Sequence, residues 1–194
     1  MWWARLLNVI AGLLSGGAAP AAATSYESIQ TTTLSASQQT ISFTSIPSTY
    51  KHLQIRMIAR SDRASNPASN VLLTFNSDTA ANYSYHELDG DGASAYGGGS
   101  AGTSNVPMQR ISGNTAGANV FGALVVDILD YQNANKYKTL RYLGGYDNNG
   151  SGEIYLGSGN WRSTSAVSRI DLQTINGTYN FVSGSSFALY GIKG

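Results

Sequence analysis

The chain has 194 residues, of which 42% are hydrophobic and only 12% are charged, and its formal net charge is +1. The hydrophobic fraction is too high and the net charge too low for a disordered chain. A net charge this close to zero also creates no electrostatic potential that would bind nucleic acid or an anionic membrane. There is no cysteine, which excludes disulfides, thiolate metal sites and a cysteine nucleophile, while 22 glycines and 12 tyrosines are typical of short strands joined by tight polar turns.

Residues 1–14 differ from the rest of the chain because they predict a helix with two adjacent apolar seams. The seams consist of Trp3, Leu7, Ile10 and Leu14, and of Trp2, Leu6, Val9 and Leu13. One such helix alone would expose too much apolar surface, so we expect it to bind identical neighbours, a socket on another protein, or both. A helix that packs back on its own domain is the alternative.

Residues 15–24 are a run of small residues that we interpret as a flexible linker. Arg5, the apolar stretch and the Ala-x-Ala pattern also fit a secretory signal, but we expect no processed signal because the chain retains Met1. The apolar run is shorter than the roughly 20 residues that a membrane span needs. We therefore divide the chain into an anchor helix with its linker over residues 1–24 and a β domain over residues 25–194.

The first half of the β domain alternates apolar and polar residues at the period of a strand. The clearest strand covers residues 51–60, and its core-facing side chains are Leu53, Ile55, Met57 and Ala59. Further strands are predicted over residues 40–46, 70–76 and 81–88.

Residues 89–103 contain six glycines and almost nothing that can pack, so we predict a long, exposed and mobile loop. A short strand follows over residues 106–111, where Pro107 suits a sheet edge. Residues 119–129 are apolar on both faces. This pattern predicts a central strand that is covered on both sides, by the domain or by a neighbouring subunit.

The last part of the chain predicts a strand over residues 136–146, a hairpin turn at 147–152, and a return over 153–156. Residues 166–174 form another strand, and residues 185–194 form the closing one. Eight to ten strands at this spacing predict an all-β, antiparallel two-sheet sandwich with a jelly-roll arrangement.

The titratable residues do not form a recognised catalytic or metal pattern. His52 and His86 lie on predicted strands without a metal-binding spacing, so we interpret them as surface or interface residues. Asp127 and Asp130 are the acids nearest the apolar centre, but a glycosidase needs a second carboxylate at a defined distance.

Two oxygen-rich turns, at residues 89–92 and 147–150, resemble incomplete calcium loops, and turn chemistry alone explains them. No nucleophile elbow, zinc-protease or phosphate-loop motif is present. We therefore expect no enzyme activity, no cofactor and no metal site.

Aromatic residues remain as candidates for binding. β-Sandwiches hold carbohydrate by stacking sugar rings on exposed aromatic side chains. The candidates for contact with a host glycan are Tyr83, Tyr85, Tyr96, Tyr155 and Trp161. Cross-strand packing and subunit contacts are the alternative roles of these residues.

Several stretches resemble the small virion structural proteins of cyanophages and other aquatic tailed phages. One of them reads FGALVVDILDY, and the matching pieces occur in the expected order at residues 25–29, 45–56, 82–86, 121–131, 135–139, 157–162 and 187–194. The short apolar beginning at residues 6–13, before a glycine-rich joint, is similar as well.

The resemblance implies a virion protein that is made in the host cytoplasm and assembled into the particle. We expect a homotrimeric tail fibre or fibre-like protein, whose residues 1–24 bind tail, baseplate or capsid proteins and whose head contacts the host surface polysaccharide. A capsid decoration protein is the main alternative, and a carbohydrate-binding module is another. The resemblance brings no catalytic residues.

Overall fold

A computed structural model describes residues 25–194 of the chain. The predicted anchor helix and its residues Trp2 to Leu14 lie outside the described residues. Twelve strands and one short 3₁₀ turn, Ile175–Gly177, make up the secondary structure of residues 25–194. The strands are β1 Tyr26–Thr33, β2 Thr40–Phe43, β3 His52–Ala59, β4 Ala68–Phe75, β5 Tyr83–Gly90, β6 Ala95–Thr103, β7 Val106–Ser112, β8 Gly122–Leu129, β9 Lys138–Asp147, β10 Gly152–Trp161, β11 Ile170–Thr174 and β12 Ser186–Ile192.

The strands form two antiparallel sheets that pack face to face, which confirms the predicted sandwich. The large sheet has eight strands in the order β1-β12-β3-β8-β9-β10-β5-β6, and the small sheet has four in the order β2-β11-β4-β7. Without the β5–β6 and β9–β10 hairpins, the remaining eight strands lie in the orders β1-β12-β3-β8 and β2-β11-β4-β7. This arrangement is a jelly roll, to which the two hairpins add four strands beside β8.

The core lies between the two sheets, and β3 shows why the sequence pattern predicts it. Leu53, Ile55, Met57 and Ala59 are all buried, as their alternation with polar residues predicts. From the small sheet, alternate residues of β2, β4 and β11 meet them, and these strands bury Phe43, Phe75 and Leu172 among others. One continuous apolar layer therefore joins both sheets.

The closing strand is placed as predicted. β12 is paired on both sides, with β1 and with β3, and it buries Phe187 and Leu189. The central position of β8, which lies fourth in the large sheet from the β1 edge, is also confirmed.

The structure corrects three predictions about the strands. The predicted loop at residues 89–103 is wrong, because residues 95–103 form β6 and pair with β5. A Cβ at Gly99 would lie 2.8 Å from the Tyr85 carbonyl oxygen of β5, so glycine allows the two strands to approach. The predicted return strand at 153–156 extends to Trp161. Residues 25–194 form twelve strands where eight to ten were predicted, in part because the residues of β1 are mostly polar and gave no strand signal.

A buried or half-buried cation organises each of two connections. The Arg60 guanidinium donates to the carbonyl oxygens of Asn114, Ala116, Gly117 and Val120 at 2.6–3.1 Å, and so holds the loop before β8. The buried Lys138 ammonium similarly donates to three carbonyl oxygens around the β8–β9 connection. Burial lowers the pKa of Lys138.

No helix within residues 25–194 has the length and apolar composition that crossing a membrane requires.

Candidate functional site: the outer face of the large sheet

The outer face of the large sheet, which points away from the small sheet, carries a continuous apolar ridge. Register pairs Val125 with Leu143, Leu143 with Leu156, and Leu156 with Leu88, so these four side chains lie side by side on β8, β9, β10 and β5. Between 38% and 56% of each residue is exposed. At about 4.8 Å per strand, the ridge is about 14 Å long. We call these four residues the outer ridge.

A trough lies beside the outer ridge. The next row across the same strands consists of Ala123, Gly145, Ile154 and Gly90, in which three of the four residues are small. The resulting depression has a volume of about 650 Å³ and is closed at its far side by the β5–β6 and β9–β10 turns. Asp91 and Asp147 also line it. Ile154 is 62% exposed, and Ile58 of β3, in the same row, is 57% exposed.

The other side of the outer ridge is polar. Asp127 and Arg141 are directly opposite each other on β8 and β9, and Gln54 donates to the Asp127 carboxylate at 2.7 Å. Within residues 25–194, Arg141 has no ion pair and its side chain has no hydrogen bond. Arg56, by contrast, lies over the rings of Tyr26 and Tyr190, with distances of 5.6 and 5.2 Å from its guanidinium carbon to the ring centroids.

Two of the predicted glycan-binding aromatic residues, Tyr83 and Trp161, are buried, so the expectation that they are exposed is wrong. Their rings stack on each other, with centroids 6.3 Å apart, and Trp161 also packs on Phe75. The Tyr83 hydroxyl accepts the Phe75 N–H and donates to the Asp78 carbonyl oxygen. Burial raises the pKa of Tyr83 to about 12. Both side chains face the core because their strands continue beneath the small sheet.

Tyr155 is also buried, which corrects a third member of the predicted set. Its hydroxyl donates to Glu153 at 2.7 Å, and Arg110 lies over its ring while pairing with the same carboxylate at 3.0 Å. Arg110 belongs to β7, at the edge of the small sheet, so this cluster joins that edge to β10. The three buried aromatic residues stabilise the fold and do not offer a free ring to a ligand.

Tyr85 and Tyr96 remain accessible among the predicted residues. Tyr85 is half-buried against the core, and Tyr96 is 52% exposed at the start of β6. The structure therefore does not bring the five predicted residues together into one stacking platform.

Glu87 is the half-buried carboxylate of the added hairpin β5–β6. Gln109 donates from its amide nitrogen to both Glu87 oxygens, at 2.7 and 2.8 Å. Desolvation by burial raises the pKa of Glu87, and the Gln109 hydrogen bonds oppose this effect. The contact attaches the β5–β6 hairpin to β7 of the small sheet.

The histidines and the oxygen-rich turns have local structural partners. His52 Nδ1 accepts the Asp130 N–H at 3.0 Å, while His86 lies beside Gly99 on the outer face. Asp91 accepts backbone N–H groups of its own turn at 2.7 and 2.9 Å, and Asp147 accepts that of residue 149. Residues 25–194 contain no group of three or more His, Cys, Asp or Glu side chains that could hold a metal ion.

The sandwich has two distinct poles. Register pairs Tyr26 at the start of β1 with Ile192 at the end of β12, and the Lys193 N–H donates to the Ser25 carbonyl oxygen at 3.1 Å. The antiparallel register places the β5–β6 and β9–β10 turns at the opposite ends of their strands. Strands of eight to ten residues separate the poles by about 30 Å. We call the end with residue 25 the proximal pole and the end with the turns the distal pole.

No protein-family model matches the chain, and no curated protein is similar to it at a significant level. The outer ridge was not predicted as a unit. Its signal was present in the two-faced apolar pattern of residues 119–129 and in the alternation of Ile154 and Leu156, but the register between strands was needed to join them.

Proposed function

We propose that the chain is a structural protein of a tailed-phage particle, a homotrimeric tail fibre or fibre-like protein. Residues 1–24 attach to other virion proteins, and the jelly-roll head over residues 25–194 meets the host surface. The resemblance of the sequence to small virion structural proteins supports this proposal. The single structural observation that carries it is the separation of the two poles of the head.

The proximal pole is where the polypeptide enters the head, so an anchor over residues 1–24 leaves the opposite pole free. The distal pole consists of short turns with glycine, aspartate, asparagine and serine, such as residues 147–152. Tyr96 lies immediately after the β5–β6 turn at this pole and is exposed. An anchored head with this polarity presents a polar surface and an accessible ring outward.

Binding to a polysaccharide by such a surface is weak at a single site. Several heads on one particle convert weak single contacts into useful avidity, because each further contact is intramolecular. A trimeric fibre supplies three heads on one stem, which is why the homotrimer is part of the proposal.

Location on the particle tests the proposal. Particles of the virus that encodes the chain are purified, the chain is identified by mass spectrometry, and a gold-labelled antibody against residues 25–194 is imaged. We expect label at the tail periphery. Label spread over the capsid would favour the decoration protein instead, and particles without the chain would contradict a virion role.

Loss of the anchor tests the assignment of residues 1–24. We expect a chain that starts at residue 25 to be absent from the particles while its circular dichroism spectrum keeps the β-sandwich signature. The matched control replaces only Trp2 and Trp3 with leucine, which keeps an apolar helix of the same pattern. Normal incorporation of the truncated chain would refute the anchor.

A further inference from the structure

We infer that the outer face of the large sheet is the surface through which copies of this chain bind each other. The inference deepens the proposed function, on which it rests for the number of copies, because it names the partner of the head and the residues that contact it. Its centre is the outer ridge of Val125, Leu143, Leu156 and Leu88, together with the neighbouring Ile154 and Ile58.

Composition separates this face from a surface that binds sugars or transient partners. All six central side chains are Ile, Leu or Val, each 38–62% exposed in the single chain. They occupy two consecutive rows on adjacent strands, and a contiguous apolar patch of this kind is uncommon on a monomer. Interfaces between obligate copies are more apolar than transient ones and resemble a domain core cut in half.

Size favours a second copy as well. Eight strands at about 4.8 Å each, with about eight residues of 3.3 Å, give the outer face an area of roughly 1,000 Å². In a closed trimer each copy divides this face between two neighbours, so each interface takes about 500 Å² on each partner. The total of about 1,000 Å² per interface reaches the size that a specific interface needs.

The face also carries features that complement each other, as a surface that binds a copy of itself must. The apolar outer ridge lies beside the trough, which small residues form at Ala123, Gly145 and Gly90. The guanidinium of Arg141 lacks an ion pair within residues 25–194, and acidic side chains lie on the same face at Asp127 and at the rim of the trough. A surface that carries a feature together with its complement can bind a copy of itself in a closed assembly.

The mass of the full-length protein in solution tests the inference, measured by light scattering after gel filtration. Leu143→Glu and Ile154→Glu place a carboxylate in the ridge and in the trough row. Tyr137→Glu is the matched control, because Tyr137 is 55% exposed but precedes β9, six residues before Leu143 and outside the two rows that form the outer ridge and the trough. We expect the wild type and the control to have three times the 20.5 kDa of one chain, and both sheet variants to have the mass of one chain.

A second measurement tests the inference even if the charged variants fail to fold. The chain contains no cysteine, so Leu156→Cys and Tyr137→Cys each introduce a single thiol for alkylation by a maleimide. We expect the thiol at 156 to react more slowly than the thiol at 137 in the assembled protein, and at a similar rate after dilution to single chains.

The outcomes distinguish the inference from the proposed function. A trimer that persists in both sheet variants, with a reactive thiol at 156, overturns the interface and leaves the tail location untouched. A monomeric wild type overturns the interface. If the thiol at 156 is also protected in that monomer, the face is assigned to residues 1–14 of the same chain. A dimer that the two substitutions dissociate supports the interface and contradicts the trimer in the proposed function.

Discussion

The indole Nε1 of Trp161 donates a hydrogen bond of 2.7 Å to Asp78 Oδ2, and the two residues are 83 positions apart in the chain. The contact joins the end of β10 to the connection between β4 and β5. The same carboxylate accepts the Ala80 N–H at 2.9 Å and the Asn82 side-chain amide at 2.9 Å. These donors, Asn82 first and then Trp161, lower the pKa of Asp78. One aspartate thus organises the connection and satisfies the donor of a buried indole.

Replacement of this aspartate is expected to destabilise the head. Asp78→Ala removes the acceptor of a buried indole N–H, and leaving such a donor unsatisfied costs about 1–3 kcal/mol. Asp89→Ala, in which no side-chain hydrogen bond is lost, is the control and should change stability by less than about 0.5 kcal/mol. Urea unfolding followed by circular dichroism measures both. Equal midpoints for the two variants would show that the indole contact contributes nothing.

The loop over residues 114–120 is expected to depend on the shape of the Arg60 side chain. Arg60→Lys keeps the charge but loses the planar fork that donates to four carbonyl oxygens. We expect faster hydrogen exchange in residues 114–120 and a loss of stability of about 1–2 kcal/mol. Arg63→Lys is the control, since the Arg63 guanidinium donates only to the Ala68 carbonyl oxygen. Unchanged exchange in Arg60→Lys would contradict this role.

The Tyr142 ring lies directly over Gly157 on the neighbouring strand, so an added methyl group there is expected to be harmful. A Cβ at position 157 would overlap the buried ring. Gly157→Ala should therefore destabilise the head by about 1–3 kcal/mol, as overpacking does. At Gly98 the nearest atom to a Cβ would be Glu87 Oε1 at 3.4 Å, which makes Gly98→Ala the control. The hypothesis fails if thermal unfolding shows both variants to be equally stable.

Stability should depend on pH through Glu87. Because burial raises its pKa in the folded state, the folded protein binds the proton more tightly than the unfolded one. The favourable contribution is therefore complete below the unfolded value of about 4.3 and is lost as pH rises through the raised folded value. Glu87→Gln removes this dependence and keeps an acceptor for Gln109. Between pH 4 and pH 8 the melting temperature of the wild type should fall relative to the variant, and parallel curves would exclude the effect.

Alternation was sufficient to predict which residues of β3 face the core, because both of its neighbours and the small sheet are contributed by the same chain. The prediction that Tyr83, Tyr155 and Trp161 are exposed was wrong. It was based on the ability of their aromatic rings to stack on sugars and not on alternation. The structure pairs the polar atoms of these residues internally, through Glu153 for Tyr155 and through Asp78 for Trp161. A hydroxyl or an indole N–H does not require solvent when another segment supplies an acceptor, and sequence alone does not locate that acceptor.

The sequence did not predict β6, and the reason is different. Its sequence AYGGGSAGT has almost no side chains that could show a strand period, and its hydrogen bonds to β5 depend on the backbone. The outer ridge shows the same limit at a larger scale. Each of its members is one apolar residue on one strand, and only the register of four strands makes them a surface.

The way in which the two extra hairpins join the jelly roll makes one of them depend on the other. β9 pairs with β8 of the eight-stranded core arrangement, whereas β5 reaches the large sheet only through β10. In this arrangement the β5–β6 hairpin has no partner strand until β9–β10 is in place. The place of β5–β6 in the large sheet is therefore conditional on β9–β10, and the whole width of the sheet beyond β8 depends on the single pairing of β8 with β9.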